Sequence, residues 1–331
     1  MLDLIIDHIV LQVPLIPSSP LSHLLKSSLR LNTLTQAGLN TWVVEAQAHS
    51  QGGQLPNYIP MLAAANPSWF ALQIQTVEGQ IYTAGEVNLS FALMSAIKPF
   101  ILLFLLQQLG KERVFSHVGM SPSDQPFNSL TQLESDRGFP RNPMINSGAI
   151  ALCSLLPGND ALSRCENLRL WLNQHAQSQL VLDQLMLNCV QSVPNQPNRA
   201  IARLMAQSGY LAAEEIALDT YNYLCCLSGT VVDLALLGML LVEQHNVIRS
   251  QNRCSVNALM TTCGLYQASS RFAVEVGLPT KSGVSGVILS LVPNGGAIAC
   301  YSPILDEAGN SKAGLFLVQQ LAQNLNLSVF G

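Results

Sequence analysis

The chain has 331 residues, 49% of them hydrophobic and only 11% charged, which is enough apolar material for one large domain or two. A formal net charge of -4, without any long run of one sign, supplies no electrostatic footprint for nucleic acid or an anionic membrane surface, so neither partner is expected. Eight scattered cysteines, with no Cys-x-x-Cys pair and one vicinal pair at Cys225-Cys226, fit reduced thiols in a cytoplasm, and six histidines without ligand spacing give a metal no support.

Met1 to Val13 contains Asp3 and Asp7 and lacks a basic leader, so no secretory signal is expected. Up to about residue 65 the pattern is helical and amphipathic, broken at Pro14 to Pro20 and at Gln51-Gly52-Gly53. Two short strands follow, FALQIQTV and QIYTAGEV, joined as a hairpin through Glu78-Gly79. From Ser90 to about Cys263 helical patterns dominate. The most apolar of them, Pro99 to Leu106, falls far short of the roughly 20 residues a membrane span requires. It reads as a buried core helix. A Gly/Pro/Asn-rich loop is expected from Gly119 to Gly148, long enough to be functional.

After Gly277 strands return as GVILSLVP and, beyond Asn294-Gly295-Gly296, GAIACYSPIL, before a last helical pattern from Ala313 to Leu325. This order predicts an α+β fold: an antiparallel sheet built from residues 1–88 and 265–331 and flanked by helices, with a mainly helical segment, 89–264, inserted between its halves. The active site is expected between the two parts.

Ser95-Ala96-Ile97-Lys98 opens the apolar helix, and its three-residue spacing places hydroxyl and amine on one helical face. A serine hydroxyl is a poor nucleophile at neutral pH, and a desolvated lysine can lose its charge and accept that proton. The helix N-terminus adds free N–H groups for an oxyanion. Far downstream, Lys281-Ser282-Gly283 starts a strand after Pro279. Ser-x-x-Lys followed by Lys-Ser/Thr-Gly is the arrangement of penicillin-recognising serine enzymes. The sequence has only five lysines, and two of them complete these two motifs.

Gly138-Phe-Pro-Arg-Asn-Pro-Met-Ile-Asn-Ser-Gly-Ala-Ile150 carries the resemblance further: it is similar to the glutaminase family, whose fold is that of serine β-lactamases and transpeptidases. Matching segments follow in order, among them Asn57-Tyr-Ile-Pro60, Phe127-Asn-Ser129, Asn198-Arg-Ala200, Asp233-Leu-Ala235, Thr262-Cys-Gly-Leu-Tyr266, Gly277-Leu-Pro-Thr-Lys-Ser-Gly-Val284 and Ser302-Pro-Ile-Leu-Asp-Glu-Ala-Gly-Asn-Ser311. The resemblance extends from about Tyr58 almost to the last residue. It implies hydrolysis of L-glutamine to L-glutamate and ammonia without a cofactor, with Ser95 as the acyl-forming nucleophile and Lys98 as its base. Tyr58, Tyr221 and Tyr266 would line the pocket, Tyr266 relaying protons to the leaving ammonia. Asn146 and Asn198 would hold the amino-acid end, the backbone of Val284 would join that of Ser95 in an oxyanion hole, and Lys281, Ser282 and Gly283 would support the site. Dimers or tetramers are implied as well.

Four positions depart from the family, Gln191, Met94, Ser121 and Asp124, the last two in the loop around Pro122. A glutamate is expected seven residues before Asn198, and Gln191 stands there, keeping an acceptor for the substrate's α-ammonium but losing the charge. Met94 also replaces the glutamine usual before the nucleophile. Two other readings therefore stay open, a serine amidohydrolase for a different amide and a weakly catalytic homologue that binds an amino acid or a partner.

Overall fold

Residues 30–243 and 247–331 are described by the computed structural model, so the expectations for Met1 to Val13 and for the break at Pro14 to Pro20 lie outside the described residues. In sequence order the first elements are α1 (Gln36–His49), α2 (Pro60–Ala63), β1 (Ala71–Thr76), β2 (Ile81–Gly85) and β3 (Phe91–Ala92), then a 3-10 turn, Met94–Ile97, that runs straight into α3 (Lys98–Leu109). There follow α4 (Lys111–Phe115), α5 (Leu130–Ser135), α6 (Asn146–Cys153), α7 (Ala161–Ala176), β4 (Val181–Leu182), α8 (Gln184–Ser192), α9 (Gln196–Gln207), α10 (Glu214–Cys225) and β5 (Leu227–Gly229). The last elements are α11 (Val231–Val242), α12 (Ser250–Cys263), a 3-10 turn at Tyr266–Ala268, α13 (Ser269–Glu275), β6 (Thr280–Gly283), β7 (Val287–Val292), β8 (Gly296–Tyr301) and α14 (Lys312–Leu325).

The expected hairpin forms, with β1 antiparallel to β2, because Gly79 takes a left-handed φ of 83° and the Thr76 hydroxyl accepts from the Gln80 N–H across the turn. The late strands pair likewise through a turn in which Asn294 adopts φ 58°. Together they make a five-stranded antiparallel sheet in the order β2-β1-β8-β7-β6, which joins the early strands to the late ones as the sequence order implied. A second, three-stranded sheet, β3-β5-β4, was not foreseen. Its strands of two or three residues are too short to show alternation.

Both faces of the large sheet are covered, and the period of two sorts its side chains between them. Leu289, Leu291, Ala297 and Ala299 join the larger apolar cluster with α3, α6, α10 and α11, whereas Leu72, Ile74, Ile288, Ile298 and Cys300 join a smaller one with α1 and α14. Helix α11 lies on the first face through Gly238, where a Cβ would stand 2.7 Å from that of Ala297. Helix α3 is the core helix expected, buried continuously from Lys98 to Leu106.

The run from Gly119 to Gly148 is not all loop. Ser129 accepts from the Gln132 N–H and starts α5, and α6 begins at Asn146. Proline and glycine punctuation hid a helix of a turn and a half.

Candidate active site

The nucleophile candidate sits on the 3-10 turn ahead of α3. Leu93 donates its N–H to the Leu227 carbonyl at 2.8 Å, fixing the turn to β5, and Met94 is held at φ 46°, a strained backbone conformation of the kind that collects at functional sites. The end of β6 presses on the same turn. A Cβ at Gly283 would meet the Leu93 carbonyl oxygen at 2.7 Å, so only glycine allows strand and turn to touch here.

Lys98 is fully buried one turn below Ser95, and its Nζ donates to Asn146 Oδ1 at 2.7 Å and to the Met144 carbonyl at 3.3 Å. Burial pulls this amine down from 10.5 to about 8, against the opposing effect of the Cys225 and Cys153 thiols. A neutral amine has two N–H donors and one lone pair. With both donors engaged by Asn146 and Met144, the lone pair is what remains to take a proton.

Ser95 stands next to the phenol of Tyr266, within reach of a hydrogen bond. Spacing alone suggested a direct Ser95 and Lys98 pair; the structure places the tyrosine hydroxyl at the serine and the amine at the asparagine. Tyr266 adopts φ 57°, donates to the Ser282 carbonyl at 3.4 Å and packs at a tilt against Phe127. Its phenol is pushed up to about 12, chiefly by burial, with the hydrogen bonds of Ser95 and Ser282 acting the other way.

Lys281 lies under that ring, its Nζ 4.4 Å from the centroid, and donates to the carbonyls of Gly264 and Ser282 at 2.9 and 2.6 Å. Burial, reinforced by the charge of Lys98, holds its amine well below the ordinary lysine range. The Ser282 hydroxyl donates to Asn310 Oδ1 at 2.6 Å, tying β6 to the segment that precedes α14.

Asn146 is the hub of the other side. Its Oδ1 accepts from Lys98 and, at 2.9 Å, from the Tyr221 hydroxyl, while its Nδ2 donates to Asn198 Oδ1 at 2.8 Å. With this orientation the amide oxygen accepts from an amine and a phenol while the amide nitrogen donates to a carbonyl oxygen. Residues 146, 198 and 221 come from α6, α9 and α10 and meet only in the fold.

Ser95, Asn146, Asn198, Tyr221 and Val284 line one cavity of about 460 Å³, with Tyr58 half exposed at its rim, whereas Lys98, Tyr266, Lys281, Ser282 and Gly283 are not part of its lining. The backbone N–H groups of Ser95 and Val284 donate to no carbonyl among the described residues, which leaves both free for an oxyanion.

Gln191 points away from the cavity altogether. It lies exposed on the last turn of α8, and Val190 and Val193 face the cavity instead. One residue along a helix turns a side chain by about 100°, which is enough to move position 191 from wall to solvent. Sequence reasoning also missed Phe127 and Cys225, both in the lining. Phe127 stood in a matched segment, and its ring is what backs Tyr266.

Comparison with known proteins identifies the family. The Glutaminase family model matches residues 53–330. A glutaminase of Synechocystis sp. is 46% identical over 292 residues, covering 88% of this chain and 89% of that one. The solved structure of the probable glutaminase ybaS superposes with a TM-score of 0.83 at 36% identity, covering 90% of this chain and 99% of that one. The Bacillus subtilis glutaminase YbgJ, solved as a covalent complex with 5-oxo-L-norleucine, superposes with a TM-score of 0.80 at 31% identity, covering 89% and 99%. With a family match across most of its length and near-complete overlap with these structures, the chain belongs to the glutaminase family.

Proposed function

We propose that this protein hydrolyses the side-chain amide of L-glutamine to L-glutamate and ammonia through a glutamyl ester on Ser95. The observation that carries the reading is Ser95 at the wall of a cavity, beside a buried phenol and one turn from a buried lysine whose charge is easily lost, with the free N–H groups of Ser95 and Val284 at the same wall. The Bacillus subtilis relative, which forms a covalent complex with a ketone analogue of glutamine, supports the same class of step.

Ser95 Oγ attacks the amide carbon as its proton is taken up by the uncharged amine of Lys98, the Tyr266 hydroxyl beside the serine serving as relay. The carbonyl oxygen takes up the negative charge between the N–H groups of Ser95 and Val284. When the carbon–nitrogen bond breaks, Tyr266 returns a proton to the nitrogen, which leaves as ammonia. Water then attacks the ester, giving up its proton along the same path, and glutamate is released. Asn146 and Asn198 hold the amino-acid end, and Lys281 fixes the Ser282 carbonyl on which Tyr266 rests.

The reading extends to a dimer or tetramer in a reducing cytoplasm, supported for the compartment by eight free thiols. Ammonia release by the purified protein and by Ser95→Ala tests the chemistry. The variant is expected to lose about ten-thousand-fold or more in kcat. Retention of a tenth of the activity would rule out the serine ester.

A further inference from the structure

Glutamine carries an ammonium and a carboxylate on one carbon, and the hydrogen bonds already made in the site sort what is left for each. Asn198 spends its Oδ1 on the Asn146 amide, so what it can offer the cavity is Nδ2, a donor, which suits the carboxylate. Asn146 accepts at Oδ1 from both Lys98 and Tyr221 and has no acceptor to spare. The ammonium, which has only donors, still needs an acceptor. Among the described residues lining the cavity none is an aspartate or a glutamate, and Gln191 lies in solvent.

Asn222 has an acceptor to give. It follows Tyr221 on α10, lies half-buried in the cavity lining, and its side-chain amide makes no hydrogen bond among the described residues. Helix α9, which carries Asn198, packs along α10, so the spare donor and the spare acceptor sit on neighbouring helices. The other amides of the lining are less well placed. Gln196 is exposed, Asn195 sits on the turn ahead of α9, and Asn128 adjoins Phe127 on the Tyr266 side.

The charge behind Asn222 has the sign an ammonium requires. Asp219 stands three residues earlier on α10 and so on the same side of the helix, with Glu215 a further turn back. Arg199 of α9 pairs with Glu215 at 3.6 Å, which leaves one negative charge over.

We propose that Asn222 is the residue that selects for the α-ammonium of the substrate, its Oδ1 accepting from that group while Asn198 Nδ2 donates to the carboxylate, and that position 191 has no part in this. The assignment rests on the glutamine hydrolysis proposed above.

Ammonia release by the full-length protein from L-glutamine and from 4-carbamoylbutanoate, the same amide without the ammonium, tests it. The wild-type protein is expected to favour L-glutamine by about tenfold or more in kcat/KM, the effect of one hydrogen bond to a charged group. Asn222→Leu is expected to bring that preference below about threefold by raising KM for L-glutamine, with kcat little changed and 4-carbamoylbutanoate unaffected. A merely structural role would weaken both amides alike. Asn222→Asp is expected to increase the preference, and Gln191→Glu to leave it in place. A preference that survives Asn222→Leu, fails to rise in Asn222→Asp, or rises in Gln191→Glu overturns the proposal, and Asn222→Asp decides alone if the leucine variant does not fold. If the wild-type protein cuts neither amide, the hydrolysis reading fails, and calorimetry on Ser95→Ala with L-glutamate and glutarate decides the inference separately. Tighter binding of L-glutamate that falls to the level of glutarate when Asn222→Leu is added supports it, and any other order overturns it.

Discussion

Lys98 has to be uncharged to accept a proton, and its pKa of about 8 makes that condition measurable. Because the free-enzyme profile of kcat/KM reports the essential base, activity is expected to rise about tenfold per pH unit below 8 and level off above it. The sign for stability follows from the same shift. Between about 8 and 10.5 the unfolded protein binds a proton that the folded protein does not, so this residue's contribution to stability increases as pH rises through that window. Tyr266→Phe keeps the ring against Phe127 and Lys281 but removes the hydroxyl that meets Ser95. A fall in kcat of about a hundredfold or more, with KM little changed, is expected from steady-state ammonia release. Ser95 and Lys98 were legible in the sequence because lysine is scarce and the matched segments surround them. The division of labour was not legible: spacing along one helix says nothing of Asn146, 48 residues away in the sequence, which holds the lysine.

Among the elements, the Asp233-Leu-Ala235 segment has a structural role. Thr230 and Asp233 form a capping box at the start of α11, with the Asp233 carboxylate accepting from the Thr230 N–H at 2.8 Å, and its second oxygen accepts from the Gln179 N–H at 2.7 Å ahead of β4. Asp233→Ala is expected to cost about 1–2 kcal/mol in urea unfolding, with the active-site distances intact. Gly264 is the stricter case. A Cβ there would stand 1.8 Å from the Thr280 carbonyl oxygen, at the junction where the Gly264 carbonyl receives Lys281. Gly264→Ala is therefore expected to lose about 3 kcal/mol or more and most of the activity, because relief of the overlap moves β6. Elements with a long apolar period, β1, β7, β8, α3 and α14, could be read from sequence. The shortest strands could not, since their pairing depends on partners far along the sequence, and α5, although its Ser129 cap is local, was hidden by the glycines and prolines around it.

The larger apolar cluster runs through the molecule without a break, from the sheet face into the inserted helices, linking Leu289 and Ala299 to Leu237 and Phe100. Residues 89–264 made alone would expose the face of α11 that now lies on β8. Such a fragment is expected to show helical circular dichroism without a cooperative urea transition and to bind a hydrophobic dye. A sharp transition would instead mark the helical segment as self-sufficient.

The pairing of β1 with β8 sets residue 71 opposite residue 301. During synthesis the serine-bearing turn leaves the ribosome long before the glycine that must press against it, and the sheet that carries β6 cannot close until its central strand, β8, has emerged. Nascent chains that stop short of β8 thus lack the strand that sets β6 against this turn, and the candidate nucleophile and its proposed oxyanion partner come together only once Tyr301 has been added.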